Sequence, residues 1–340
     1  MSIVFICELP PPYGGVTVKN QLIIDQIFSP TDPVRVIDMY AIRRNPFSFF
    51  RIGFQIIFAF IRRDTILYGF GTYKRVETAL TIQKLFGGWK SLSRTVNVVM
   101  GGVFQHYVIA DSHLKSLVSA IKCNLVETAG MKKELLLDGV ENVMVFPNPK
   151  PDNTRANQNH SGRLKCVFFS KICKGKGVDY IISEISAIPD PYLSIDFYGP
   201  VDPEINDDFY RFIDTCEYAR YHGIFNTSED DLYSELSQYD LVLLPTRLQT
   251  EGIPGVLIET KMAGVAALVS DINYNSEIVQ NDAEGIVLKD MERGTMANEL
   301  IALQNDRERL EKLKMGAFHS RKRYCLDNFR SKLRQLLELD

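Results

Sequence analysis

The 340-residue sequence lacks several features that would assign it to a broad class at once. Its six cysteines (Cys7, Cys123, Cys166, Cys173, Cys216, Cys325) are scattered, with no CxxC pair and no Cys/His cluster at metal-ligand spacing. That argues against a zinc module and for free thiols in a reducing cytoplasm. Long hydrophobic runs are also missing. The longest strongly apolar stretch, 52–61, has about half of the roughly 20 residues that span a bilayer. Met1–Glu8 has no basic leader, and its apolar run is too short for a signal peptide, so it reads as a first buried strand. There is no internal repeat, no low-complexity tract, no GxGxxG and no paired-Asp metal motif. The basic residues are not interleaved with aromatics in any RNA- or DNA-reading pattern, so nucleic acid is not an expected partner.

What is present is the composition of a soluble globular protein, with 45% hydrophobic and 24% charged residues and a length suited to two domains. A net charge of -3 conceals an asymmetry. Residues 1–150 hold 17 Lys+Arg against 11 Asp+Glu, leaving 22 against 31 for the remainder. By charge alone, a basic half joined to an acidic half implies that the first half meets something anionic: a phospholipid surface, a lipid-pyrophosphate acceptor or nucleic acid, the last set aside by the missing reading pattern.

Short apolar runs alternate with helical periodicity, which predicts an α/β architecture with mainly parallel strands. Expected strands in the first half are Ile3–Cys7, Val34–Asp38, Thr65–Tyr68, Val96–Met100, one at or near Leu117–Ala120, and Val143–Phe146. A helix is expected over Thr17–Ile27. The polar, proline-rich and aperiodic run 147–162 reads as the interdomain break, with the linker placed at 151–162 between an N-terminal domain (1–150) and a C-terminal domain (163–320). A last helix over 321–340 is expected to pack back on the first domain. In the second half, strands are expected at 165–170, Leu193–Tyr198, Ala219–Tyr221, Leu241–Pro245, Ala266–Ser270 and Gly285–Leu288.

Three segments could carry chemistry. Gly14-Gly15 lies between the first strand and the first helix, where glycine lets backbone approach a ligand and the helix N-terminus offers unpaired N–H groups to an anion. A tight turn without a ligand explains it equally well. The segment Ser170-Lys171-Ile-Cys-Lys-Gly-Lys176-Gly-Val-Asp179 places three lysines and two glycines at a strand-to-helix turn, suited to neutralising a diphosphate. The competing reading is a solvated charged loop. The segment Glu251-Gly252-Ile253-Pro254-Gly255-Val256-Leu-Ile-Glu259 follows a strand and enters a helix. Its carboxylates could accept hydrogen bonds from sugar and ribose hydroxyls while its amides hold phosphate. Two exposed carboxylates remain the simpler alternative.

The ordered set of motifs resembles the retaining GT-B glycosyltransferases of glycosyltransferase family four, which include many bacterial polysaccharide enzymes. Leu243-Leu-Pro-Thr246, the pair Glu251 and Glu259, and Ala263-Gly-Val-Ala-Ala-Leu-Val-Ser270 match that family's Glu-x7-Glu element and its flanks. Lys171, Lys176-Gly177, Val145-Phe-Pro-Asn148, Tyr198-Gly199, Tyr221-His-Gly223 and Ser276-Glu-Ile-Val279 resemble further family positions, over essentially the whole chain. The resemblance implies two Rossmann-like doubly wound domains facing a central cleft. The substrate implied is a nucleoside-diphosphate sugar, UDP-sugar favoured, with no metal and no separate cofactor. It also implies a saccharide or lipid-linked saccharide acceptor.

Carried over by position, Lys171 and Lys176 bind the diphosphate and assist its departure, with Ser170 and Gly199 at adjoining strand ends. Glu259 binds the ribose. Glu251 and the backbone from Gly252 through Ile253, Pro254 and Gly255 to Val256 hold the sugar, while Gly14 and Gly15 approach the phosphate. Departures are Ile253-Pro254 where the family often has Phe-Gly, and Lys171 for the commoner Arg, a point charge in place of a fork. The N-terminal domain has no His-Asp or His-Gly motif. Its nearest feature is His106, which reads either as functional or as a surface or packing histidine. A nucleotide-sugar epimerase of the same architecture and a noncatalytic subunit of a polysaccharide assembly complex are the alternatives.

Residues 43–63 are basic at both ends and aromatic between. They fit either an anionic membrane surface at the inner face of the cell membrane or a buried helix with arginines at its ends.

Overall fold

The computed structural model describes residues 2–12, 14–45, 47–62, 64–153, 162–188, 193–225 and 229–339. Most of the expected linker, 154–161, lies outside the described residues. The chain forms two compact units: Met1–Pro149 with Thr250–Ile253 and Leu326–Asp340, and Lys150–Gln249 with Pro254–Cys325.

The first unit contains strands β1 (Ile3–Cys7), β2 (Val34–Asp38), β3 (Thr65–Gly69), β4 (Thr95–Val98), β5 (Cys123–Val126) and β6 (Val143–Val145). They form one parallel sheet in the order β2-β1-β3-β4-β5-β6, with Ile3 opposite both Val34 and Thr65. All five residues of β1 are buried, as expected for a central parallel strand covered on both faces. The covering helices are α1 (Gly15–Ile27), α2 (Ala41–Arg44), α3 (Ser48–Ile61), α4 (Tyr73–Leu92), α5 (Phe104–Ala110), α6 (Ser112–Ser119) and α7 (Ala129–Leu137). On α3, Ile52, Ala59 and Phe60 are buried. Gly88 breaks α4 with φ +64.

The strand expected near Leu117–Ala120 is instead the end of α6. Asp111 caps that helix, its carboxylate accepting from the N–H groups of His113 and Leu114 at 2.8 and 3.2 Å. The buried positions Leu114, Leu117 and Val118 then recur at helical spacing, and β5 follows at Cys123. The strand expected to reach Met100 ends at Val98.

The second unit contains β7 (Leu164–Phe169), β8 (Leu193–Tyr198), β9 (Ala219–Tyr221), β10 (Leu241–Leu244), β11 (Ala266–Ser270) and β12 (Gly285–Leu288). Their order is β12-β11-β10-β7-β8-β9, all parallel. Helices α8 (Val178–Ser186), α9 (Asn206–Thr215), α10 (Glu229–Leu236), α11 (Gly255–Ala263), α12 (Asn275–Ile278), α13 (Thr295–Asn305) and α14 (Arg307–Ser320) complete it. The chain then returns to the first unit as α15 (Asp327–Leu336).

Buried charges in this second core are paired or hydrogen-bonded to backbone, as the desolvation penalty requires. The fully buried Glu184 accepts from the N–H groups of Gly294 and Ala297 at 2.8 and 3.0 Å. Asp240, fully buried before β10, accepts from Lys165 N–H at 3.0 Å and Lys314 Nζ at 3.1 Å. Lys261 of α11 lies 2.7 Å from Glu284, and burial pulls its amine down to about 8.

Strand order reverses beside β1 in the first sheet, between β1 and β3, and beside β7 in the second, between β7 and β10. Loops at such a reversal diverge to opposite faces and leave a crevice at the carboxyl ends of the strands. Among the described residues, no helix is long and apolar enough to cross a membrane.

Candidate active site

At the carboxyl end of β7 the chain passes through Ser170 and Lys171 into a single 3-10 turn, Lys174–Lys176, and α8 begins at Val178. Gly177 joins turn to helix in the left-handed region, with φ +78. A Cβ there would also meet the Pro245 carbonyl at 2.1 Å, so the position admits only glycine on two grounds. Pro245 follows β10, the neighbour of β7 across the reversal. The two loops are hydrogen-bonded: Arg247 N–H donates to the Gly175 carbonyl at 2.8 Å, and Thr246 Oγ1 to the same oxygen at 3.3 Å. The lysine loop is therefore a fixed structure at the reversal of the second sheet.

Gly199, at φ +134, allows the end of β8 to approach the Ser170 carbonyl, where a Cβ would sit at 2.0 Å. Packing alone accounts for glycine there. Lys171 is exposed and pairs with Asp202. Asp202 holds the lysine above its ordinary range by accepting its hydrogen bond, and Lys171 holds Asp202 below its own. A diphosphate at Lys171 would thus have to share or displace Asp202, a partner that nothing in the sequence pattern signals. Lys176 is half-buried within the turn.

Glu259 lies in the second turn of α11, and Lys150 Nζ sits 2.8 Å from its Oε1. The Lys150 side chain is 4% exposed and that of Glu259 is 15% exposed. Lys150 N–H also donates to the Tyr324 carbonyl at 3.0 Å. A carboxylate fixed through one oxygen keeps acceptor capacity on the other, which suits a pair of hydroxyls. Sequence reasoning missed Lys150, because it stands between Pro149 and Pro151 in a proline-rich run and belongs to no motif. The nearest signal was Val145-Phe-Pro-Asn148 just before it.

Glu251, Gly252 and Ile253 belong to the first unit. There the buried Glu127 carboxylate accepts from Ile253 N–H at 2.9 Å through Oε2 and from Lys19 Nζ at 2.7 Å through Oε1. Gly252 is required at this point, since a Cβ would meet Glu127 Oε2 at 1.9 Å. Gly102 N–H donates to Thr250 O at 3.1 Å, and Asn148 Nδ2 approaches Ile253 O at 3.4 Å. Ile253, Pro254 and Val256 are buried, while Glu251 and Gly255 are half-buried. Glu127 and Lys19 stand 108 residues apart, and no motif marks them.

Gly14 and Gly15 stand at the start of α1, and a Cβ added to either would meet nothing within 4 Å, so no packing constraint selects glycine there. Gly14 N–H is taken by Thr17 Oγ1 at 3.0 Å. His106 is exposed on α5, its Nε2 3.4 Å from Glu134 of α7, a surface pairing. Among the described residues, no three His, Cys, Asp or Glu side chains are grouped as a metal site.

Two doubly wound parallel sheets, with lysines and a helix N-terminus gathered at the reversal of the second, define an α/β scaffold suited to anionic cosubstrates at its strand ends. Residues 150–319 match the family Glycosyl transferases group 1, and the chain belongs to it; it is a glycosyltransferase. Its fold is that of GT-B glycosyltransferases. It is similar to Anabaena HepE solved with UDP, at a TM-score of 0.75 and 13% identity, covering 99% of this chain and 100% of that one. The lipopolysaccharide outer core galactosyltransferase WaaB matches at 0.68 and 11% identity, covering 99% of each chain. The pneumococcal O-GlcNAc transferase GtfA, in complex with UDP and GlcNAc, matches at 0.64 and 13%, covering 84% of this chain and 58% of that one. A search among functionally curated proteins finds no match to the sequence.

Proposed function

We propose that this glycosyltransferase moves a sugar from a UDP-sugar to a saccharide or lipid-linked saccharide, with retention at the anomeric carbon, in bacterial surface polysaccharide synthesis. The observation that carries the reading is the tied pair of loops after β7 and β10, which presents Lys171 and Lys176 beside the start of α8. Lys171 and Lys176 neutralise the departing diphosphate, with Ser170 and Gly199 shaping the neighbouring strand ends. Glu259, oriented by Lys150, accepts from the ribose hydroxyls. Glu251 and the backbone of 252–256 hold the sugar, and Gly14 and Gly15 admit phosphate close to the α1 N-terminus. The bond from the anomeric carbon to the diphosphate breaks with its electron pair leaving on UDP. The acceptor oxygen bonds on the same face, and its proton passes to the departing phosphate oxygen. Fixed lysines and helix N-termini supply the positive charge in this reading. HepE solved with UDP-glucose supports the choice of donor by analogy of fold.

The first unit supports peripheral membrane association. Phe50, Phe54 and Phe58 of α3 are exposed, as are Arg51 and Arg62. Leu85, Phe86 and Trp89 of α4, which packs on α3, are exposed as well.

The test is a screen of nucleotide sugars with membrane lipid extract, following nucleoside diphosphate release by wild type, Glu259→Ala and Lys176→Ala. Turnover by wild type alone is the expected result. Absence of binding and turnover with every UDP-sugar would overturn the donor assignment.

A further inference from the structure

The first unit contains an apolar cavity of about 460 Å³ that the donor chemistry does not use. Such a volume falls within the range of small-molecule sites. Its walls come from the ends of β1, β2 and β3 and from the inner sides of α3 and α4, including Ile56, Phe60, Tyr68, Ala79 and Ile82. Two of its charged lining groups cancel: Glu8, 2% exposed, is paired with Arg75. The third, Lys74, is exposed, and no carboxylate pairs with it among the described residues. The lining is therefore apolar with one net positive charge at its edge.

The cavity has two neighbours. Lys74 and Phe70 also line a second hollow of about 420 Å³ at the ends of β3 and β4, beside Gly101, Tyr107 and Thr250. In the other direction, Ile82 is both a lining residue and, at 39% exposure, a surface residue of α4, with the exposed Leu85 and Phe86 three and four positions further along the helix. The cavity thus reaches the surface of α4 at Ile82 and shares Lys74 with the second hollow.

We infer that the cavity holds the hydrocarbon chain of an anionic amphiphile, with Lys74 binding its phosphate and the second hollow receiving what the phosphate carries. This deepens the lipid-linked acceptor reading and rests on it. Charge selects the occupant. A neutral apolar ligand would leave Lys74 unused, whereas a phosphate at the cavity edge meets an ammonium without a competing carboxylate.

The test is titration of the full-length protein with dodecyl phosphate, dodecyl maltoside and inorganic phosphate, the detergents kept below micelle formation. Wild type should bind dodecyl phosphate more tightly than either of the others. Lys74→Ala should lose roughly tenfold for dodecyl phosphate, the worth of one charged hydrogen bond, with no change for dodecyl maltoside. Ala79→Trp and Ile56→Trp, which fill the cavity from α4 and from α3, should lose both detergents. A far-UV circular dichroism spectrum and a cooperative melting transition like those of wild type would show that each variant is folded. No binding of dodecyl phosphate by wild type, or equal binding by the two tryptophan variants, would overturn the inference. So would a loss confined to Phe50→Ser/Phe54→Ser, which reports adsorption to the surface of α3. UDP binding in the same titration judges the donor reading separately.

Discussion

In the first unit the sheet reverses between β1 and β3, and the nearby loops carry Gly14-Gly15 and the apolar cavity. In the second it reverses between β7 and β10, and the nearby loops carry Lys171, Lys176 and a rigid set of cross-loop hydrogen bonds. One topological device thus serves two surfaces. The second unit concentrates charge and backbone N–H groups, while the first exposes aromatic side chains on α3 and α4 beside an apolar cavity with one net positive charge at its edge. The difference teaches that shared architecture positions ligands at strand ends, whereas the side chains there choose their chemistry.

The largest effect that could break this comparison is on activity. Lys176→Ala, in the second unit, should lower turnover about a hundredfold with little change in melting temperature, as expected for removing one preorganised charge. UDP-release kinetics beside thermal melting would check it. If turnover is unchanged, the polar character of the second reversal is unrelated to catalysis.

Next comes a stability effect inside the first unit. Glu127→Ala strands Lys19, which is 2% exposed, and removes the acceptor for Ile253 N–H. We expect a loss of about 3–5 kcal/mol in denaturant unfolding, as for other broken buried pairs, with faster proteolysis at 250–253. Glu127→Ala/Lys19→Met should recover part of it.

Alkaline pH should act on both units. Burial pushes the thiols of Cys7, Cys123 and Cys166 up, Cys123 to about 11, and the Tyr324 phenol to about 12. Unfolded thiols release protons near pH 9, while the folded chain retains them, so stability is complete below about 9 and falls as pH rises beyond it. Lys261 opposes this. With its amine lowered to about 8, the unfolded chain is the more protonated form above that pH, and this one group adds stability as pH rises toward its ordinary value of 10.5. Three thiols outweigh one amine, so the melting temperature should be roughly 3–6 degrees lower at pH 10 than at pH 8. Cys7→Ala/Cys123→Ala should flatten the dependence in the first unit.

The smallest stability effect should come from Phe50→Ser/Phe54→Ser on the exposed side of α3, within about 0.5 kcal/mol of wild type. Flotation with anionic liposomes should nevertheless be lost. Retained flotation would remove the membrane-facing half of the comparison.

Strands with continuous apolar runs, such as Ile3–Cys7 and Leu241–Leu244, were legible because burial on both faces leaves no other reading. The loop after β7 was legible as a lysine-rich strand-to-helix turn for the same local reason. Leu117–Ala120 was misread because the apolar run is short, and the Asp111 cap that makes it helical lies several residues upstream. Lys150, Glu127 and Lys19 were invisible. A buried ion pair is a property of two distant positions, and each half looks like an ordinary surface charge in one dimension. Asp202 was hidden likewise, since its effect on Lys171 depends on the β7 and β8 loops meeting.

The helix α15 also has a temporal consequence. Leu326, Leu333 and Leu337 fill the same core as Phe5, Ile23 and Ile27, and Arg334 pairs with Asp32 at 2.7 Å. A ribosome making the chain finishes the first sheet at Val145 but must then thread residues 150–325 before these leucines emerge, roughly 10–35 seconds at ordinary elongation rates. Through that interval the nascent first unit carries an open apolar groove along α1. The unit that starts folding first is the last to be sealed.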